Sequence, residues 1–357
     1  MASPKLGVEE LSRLVETVED GQLADGPRVR SFESGFAAFC DRTYGIATSN
    51  GTTALHAALK GLGIGTSDTV LTTPFSFIAT ANAIRLCGAT PVFADINPRT
   101  FNLDPESVRS AIEEHDGDVD AIIAVHLYGL PAQMDELGTI ADEYDLAVVE
   151  DAAQAHGAMF DGKPVGSLGD VACFSFYPTK NMTTGEGGMV VTDDETVADR
   201  TKRFINHGRD GTYDHADVGH NFRLTSLGAA LGEPQLDRLS DFVSVRRRNA
   251  ARYDAALSEQ PAITGPIEPP NVQHSYHQYT VRCEDRSALQ SAFENAGIDT
   301  GIYYPTPIHE QPAYEDIDAS LPVAERAAAE VLSIPVHPSL KRREVDRIAE
   351  CLRGFEG

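Results

Sequence analysis

The sequence predicts an α/β protein: a large domain built on a mostly parallel sheet flanked by helices, followed by a smaller C-terminal α+β domain. Three observations predict it. Between about residue 45 and residue 195, short apolar strands alternate with helical patterns. Two further apolar strands, around residues 171–176 and 188–192, are then separated by too little chain for a crossover helix. Finally, the Pro-rich segment Pro266 to Asn271 interrupts the chain before a second, shorter series of strands and helices. With 357 residues, 41% of them hydrophobic, the chain can supply a core for each part.

In order along the chain, Met1 to Asp20 is acidic and amphipathic, an N-terminal helical segment. Strands are expected at Thr69 to Thr72, Pro91 to Ala94, Ala121 to Val125 and Leu146 to Val149, with helices at Ala79 to Leu86, Asp104 to Glu113 and Met134 to Tyr144. Strands of this apolar kind, separated by helices, imply burial on both faces and right-handed crossovers. Val171 to Phe176 and Gly188 to Thr192 should be antiparallel neighbours, with Lys180 in their connection. A long helical stretch runs from about Leu224 to Leu257. Beyond it come a strand at Tyr276 to Arg282, a helix at Ser287 to Ala296, a strand at Thr300 to Tyr304, and helices near Val323 to Val331 and Arg343 to Arg353. The expected division is 1–240 for the large domain, with its N-terminal segment, and 241–357 for the small one.

The chain carries 54 acidic and 29 basic residues, a net charge of −25. Such a field repels nucleic acid, and the one basic run, Arg246-Arg247-Arg248, reads as an exposed helix face. An acidic surface with six lysines suits high salt, so a halophilic source is expected. Five scattered cysteines without a CxxC pair argue against a disulfide framework or a metal cluster, so no metal is expected. No segment approaches a membrane span in length and apolarity, and the expected location is the cytoplasm.

Candidate chemistry lies where the strands end, since ligands bind at the carboxyl edge of an open parallel sheet. Lys180 follows the apolar Phe174-Ser175-Phe176 and precedes Gly185-Glu186-Gly187-Gly188. A partly desolvated amine there can attack a carbonyl and form a Schiff base. The other lysines fall in the terminal tail, a helix end, a polar turn or charged helical stretches. Asp151 ends another strand and can hold a pyridine nitrogen protonated, with Gln154 one helical turn on; Asp151 could equally cap a helix. Gly51 and Thr52 open an Ala/Leu-rich helix whose free amides can bind phosphate, or form a plain helix start. Phe77 offers a flat face to a planar ring, or a core residue. Ser175 could add a hydroxyl to the phosphate, or serve as an ordinary strand serine. Together, a phosphate cradle, a stacking ring, an acid for a pyridine nitrogen and an amine for an aldehyde match the needs of pyridoxal 5′-phosphate.

These motifs occur in an order that resembles the DegT/DnrJ/StrS sugar aminotransferases, which have the fold-type I architecture of aspartate aminotransferase. The resemblance runs from about Asp41 to the C-terminus. It rests on Ser49 to Leu55, Pro74 to Thr80, Val125 to Gly129, Glu150 to Ala155, Phe174 to Gly188, Gly219 to Arg223 and Tyr304 to His309. It implies that Lys180 tethers pyridoxal phosphate, Asp151 bonds its ring nitrogen, Gln154 meets its ring oxygen and Phe77 stacks on it. It further implies that Gly51, Thr52 and Ser175 hold the phosphate, with Asn221 contributed by a neighbouring subunit, hence a homodimer with shared active sites. Arg223, Tyr304 and His309 match positions near the substrate. The implied reaction is ping-pong amino transfer from glutamate or glutamine to a keto group of a nucleotide-linked sugar. Sugar dehydratases of the family carry histidine in place of Lys180, so the lysine favours transamination. An aminohydroxybenzoate synthase keeps the lysine and stays open as an alternative, and a non-catalytic regulatory relative is the remaining one.

Overall fold

Alternation of apolar residues along each strand decides the layers. The computed structural model describes residues 4–356. Its central sheet contains β1 (Tyr44–Thr48), β2 (Thr69–Thr72), β3 (Thr90–Phe93), β4 (Ala121–Val125), β5 (Ala147–Asp151), β6 (Val171–Ser175) and β7 (Gly188–Thr192), in the order β1-β7-β6-β5-β4-β2-β3. Ile46, Ile123, Val149, Val171 and Val190 face one side, where they pack with α3 (Gly51–Leu62), α4 (Ala79–Leu86) and α7 (Glu195–Phe204). Their neighbours Ala47, Ala172, Phe174 and Met189 face the other side, against α2 (Pro27–Phe39). On that same side Ile122, Ala124 and Val148 meet α5 (Pro105–Glu114) and α6 (Met134–Tyr144). A period of two with both faces covered is what a buried sheet demands.

The expected antiparallel pair is present: Val171 lies opposite Thr192 and Ser175 opposite Gly188. Strand β1 also runs antiparallel to β7, while β5–β6, β4–β5, β2–β4 and β2–β3 are parallel. Because only β7 is reversed, the carboxyl ends of the other six strands share one edge. Residues following β1, β2, β4, β5 and β6 therefore converge there.

Several boundaries differ from expectation. The β1 strand was not anticipated: Tyr44–Thr48 lacks a continuous apolar run, and its pairing with β7 makes it a strand. The stretch from 224 to 257 is two helices, α8 (Ser226–Asp237) and α9 (Leu239–Leu257), meeting at Arg238. The strand expected from Tyr276 is β8 (Tyr279–Arg282), since Tyr276 takes a left-handed φ of 47° that leaves the extended region. Residues 300–304 make only a single bridge, Gly301 to Ser333. The partner of β8 is instead β9 (Val331–Ile334), where a helix end was expected, and Tyr279 lies opposite Ile334. Helix α11 (Pro322–Glu330) ends just before β9. With α10 (Arg286–Asn295) and α12 (Arg342–Arg353), these strands enclose a separate cluster that includes Tyr253, Tyr279, Phe293, Leu332 and Leu352. Helix α9 joins the two cores: Leu239 and Val243 belong to the sheet's cluster, Ala250 and Tyr253 to the second.

Candidate active site

At the carboxyl end of β1 the chain turns directly into α3. Asn50 caps it: its Oδ1 accepts from the Thr53 amide at 2.9 Å, and the Thr53 hydroxyl accepts from the Asn50 amide at 3.1 Å. The reciprocal cap leaves the Gly51 and Thr52 amides without an intrahelical partner at the positive end of the helix, suited to an anion. Ser175, the last residue of β6, stands against this turn. A Cβ at residue 51 would lie 2.7 Å from the Ser175 Cβ and 3.2 Å from its Oγ. The cradle exists because residue 51 has no side chain.

Asp151 ends β5 and is buried, its Oδ2 accepting from the Thr80 hydroxyl at 2.7 Å and its Oδ1 from the Ala153 amide at 3.2 Å. No salt bridge compensates it among the described residues. A buried carboxylate so placed favours a cationic N–H donor. Lys180 lies in the connection between β6 and β7, half-buried, with its amine lowered to about 8 by loss of hydration, which the charge of Asp151 partly opposes. That sets a readily deprotonated amine within electrostatic reach of the Asp151 carboxyl.

Gln154 is buried: its Oε1 accepts from the Tyr128 amide at 3.0 Å and one Nε2 proton is donated to the Tyr304 hydroxyl at 2.9 Å. Tyr128 and Tyr304 stack with centroids 6.3 Å apart, and both hold left-handed φ values, 58° and 59°. Such backbone strain in bulky residues gathers at functional sites. His309 is buried, with Nε2 3.4 Å from Glu325 Oε1; Glu310 completes a group whose ligand-type atoms lie within 4.8 Å.

The remaining predicted residues are less enclosed. Phe77, expected as a stacking face, is 59% exposed, and Asn221 is exposed. The segment carrying Asn221 runs beside the end of β1, where the Ser49 amide donates to the Phe222 carbonyl at 2.7 Å and Arg223 bridges Thr48. Arg223 donates to the Asn206 side-chain oxygen. The expectation for the arginine run fails at Arg246: it is buried, its Nη1 donating at 3.0 Å to the carbonyls of Tyr276 and His277. Helical spacing turns Arg246 inward while leaving Arg248 outside.

Sequence reasoning assigned no role to Thr80, which orients Asp151, or to Glu150 and His126. The Glu150 carboxylate accepts from His126 Nε2 at 3.0 Å and from the amides of Gly166, Leu168 and Gly169 at 2.8, 2.7 and 2.9 Å. These bonds hold its carboxyl below the usual range against the opposing effect of burial. The Ala132 amide donates to His126 Nδ1 at 3.0 Å, so the proton of the neutral ring sits on Nε2. An acidic residue ending the apolar run Leu146 to Val149 was the available signal.

Comparison with known proteins places this geometry. The family model described as the DegT/DnrJ/EryC1/StrS aminotransferase family matches residues 4–353. A pleiotropic regulatory protein of Geobacillus stearothermophilus is 40% identical, covering 98% of this chain and 96% of that one. The UDP-2-acetamido-2-deoxy-3-oxo-D-glucuronate aminotransferase of Pseudomonas aeruginosa is 40% identical over 93% of this chain and 92% of its own. The crystal structure of DesV from S. venezuelae, in complex with a ketimine intermediate, superposes with a TM-score of 0.93 at 39% identity, covering 97% and 93%.

Proposed function

Because the chain belongs to the DegT/DnrJ/EryC1/StrS aminotransferase family, whose members use pyridoxal phosphate, we propose that it moves an amino group onto the keto group of a nucleotide-linked sugar. One observation carries the reading: the amine of Lys180, Asp151 and the Gly51–Ser175 cradle lie along a single sheet edge, and that set fits the cofactor. Gly51, Thr52 and Ser175 would hold its phosphate, Asp151 its ring nitrogen, Gln154 its ring oxygen, Phe77 its face, and Lys180 its aldehyde carbon. The bound group supplies an aldehyde that condenses with amines and a ring that withdraws electrons.

The protein's residues do the rest. Thr80 and the Ala153 amide hold the Asp151 carboxyl in place, where it would keep a proton on the ring nitrogen. Lys180 Nζ would take the proton from Cα of the amino donor and, in the second half of the cycle, deliver one to the acceptor carbon that receives the amino group. Tyr128 and Gln154, both buried, and the half-buried Tyr304 shield that transfer from water. Glutamate or glutamine is the proposed donor and the cycle is ping-pong, with Arg223, Tyr304 and His309 toward the acceptor.

We propose a homodimer in which Asn221 of each subunit completes the other's cradle. Exposure of Phe77 together with Tyr213 at 88% and Val218 at 90% supports it, because such side chains gain by being covered. The separate cluster beyond residue 250 supports a domain division at 1–240 and 241–357. Five free cysteines support a cytoplasmic location, and the net charge of −25 supports a halophilic source. No described helix is long and apolar enough to cross a membrane.

The test is a panel of nucleotide-linked ketosugars with glutamate as donor, following 2-oxoglutarate. Release that depends on one sugar and vanishes in Lys180→Ala is expected; wild-type turnover in that variant ends the assignment.

A further inference from the structure

A groove of about 660 Å³ lies between helix α9 and the large domain, and none of the residues assigned above to the cofactor or the acceptor lines it. Its wall is one face of α9: Ser240, Ser244, Arg247, Arg248 and Ala251 follow one another at helical spacing over about 16 Å. Its apolar lining includes Phe39 at the end of α2, Met159 and Val243. Gly157 keeps it open. Its φ is 74°, and a Cβ there would stand 3.0 Å from Val243 Cγ2 and 3.9 Å from the Phe39 ring. A space of this size falls in the range of small-molecule sites, roughly 300–1,000 Å³.

Its charge runs against that of the protein. The chain has 54 acidic and 29 basic residues, yet no acidic side chain lines this groove and two arginines do. Arg247 is already paired: its Nη1 donates to Glu268 and, at 2.9 Å, to the His274 carbonyl. Arg248 is exposed, and no carboxylate meets it among the described residues. An unpaired guanidinium offers a planar fork to a carboxylate, sulfonate or phosphate. The apolar bed beside the fork narrows the choice. A small inorganic anion leaves the bed empty, and a neutral hydrocarbon gains nothing from the fork.

We propose that this groove binds a small organic anion with a flat apolar body, its acid group on Arg248 and its body against Phe39, Met159 and Val243. Ser240 and Ser244, exposed on the same face of α9, offer hydroxyls to polar substituents of that body. Such a ligand touches both the large domain and α9, the helix that belongs to both cores, and so fastens one to the other. Because the groove exists only in the folded chain, binding stabilises that state.

The test compares two fluorescent probes on the full-length protein: anilinonaphthalene sulfonate, and phenylnaphthylamine, which keeps the aromatic body without the charge. Wild-type protein is expected to bind the sulfonate at a single site per chain and to melt at a higher temperature in its presence. Arg248→Gln should weaken the sulfonate several-fold and leave the neutral probe unchanged. Ser244→Trp, which fills the groove from an exposed position, should weaken both probes at least about tenfold. Unchanged sulfonate affinity in either variant places the probe elsewhere, such as on the exposed Val8, Leu11 and Val15 near the N-terminus, and overturns the proposal. An equal loss of both probes in Arg248→Gln removes the arginine's charge from the account and overturns it too. Sulfonate binding that appears only on dilution into separate subunits would mean that another copy of the chain covers the groove, and would end the proposal as well.

Discussion

At Lys180 a single amine couples folding to pH. The unfolded chain keeps that proton up to the ordinary lysine value of 10.5, whereas the folded chain gives it up near 8. Below 8 both states are protonated and the cost of burying the ammonium is fully present. Between 8 and 10.5 the unfolded state binds more protons, so stability rises with pH across that window. Denaturant titrations of cofactor-free protein at pH 7 and pH 9.5 are expected to show a gain for the wild type that Lys180→Met lacks. Gly51 makes a different demand. Gly51→Ala brings a methyl group within 2.7 Å of Ser175 and fills the cradle. Cofactor affinity, measured by fluorescence titration, should fall at least about tenfold, or ~1.4 kcal/mol, with little change in melting temperature. These residues were legible in the sequence because they follow strands that only a parallel sheet can align. Arg246 and Glu150 were not, since their importance lies in partners more than a dozen residues away.

Strand ends and the loops between them act as units here. Glu150 ties β5 to the end of β4 through His126 and to the loop 166–169 through three amides, one residue ahead of Asp151. Glu150→Ala strands those donors in a dry interior and should cost about 3–5 kcal/mol of stability, read as a lower urea midpoint. Glu150→Gln keeps an acceptor and should cost less; equal losses would remove the charge from the account. A second element-scale case lies in α2, where the Glu33 carboxylate meets the Ala47 amide of β1 at 2.8 Å. Burial raises Glu33 to about 7 against Arg30. The unfolded chain releases this proton first, so its share of stability falls between pH 4.5 and 7, and Glu33→Gln should flatten that slope in thermal melts. Of the elements, the apolar strands β2, β4, β6 and β7 were legible within a residue or two. Strand β9 was hidden behind helix α11, because Val331–Ile334 reads as the tail of an alanine-rich helix until β8 pairs with it.

Over the whole molecule the net charge of −25 sets the response to salt. Repulsion reaches about 8 Å at physiological ionic strength and about 3 Å at 1 M, so added salt should raise the thermal midpoint until screening is complete. An unchanged midpoint would exclude self-repulsion as a stability term. The amino-acid sequence by itself determined the alternation of strand and helix, the antiparallel turn that carries Lys180, and the residue types along the sheet edge. These are local facts, set by hydrophobic period and by the chain length between strands. Tertiary structure alone decided that β1 pairs antiparallel with β7, which leaves β7 the one reversed strand and puts the ends of the other six on one edge. It also decided that Gln154 braces two strained tyrosines and that Arg246 turns inward onto the Tyr276 and His277 carbonyls. The reason is physical: burial and hydrogen-bond partners arise from distant segments meeting, and no local pattern encodes which segments meet.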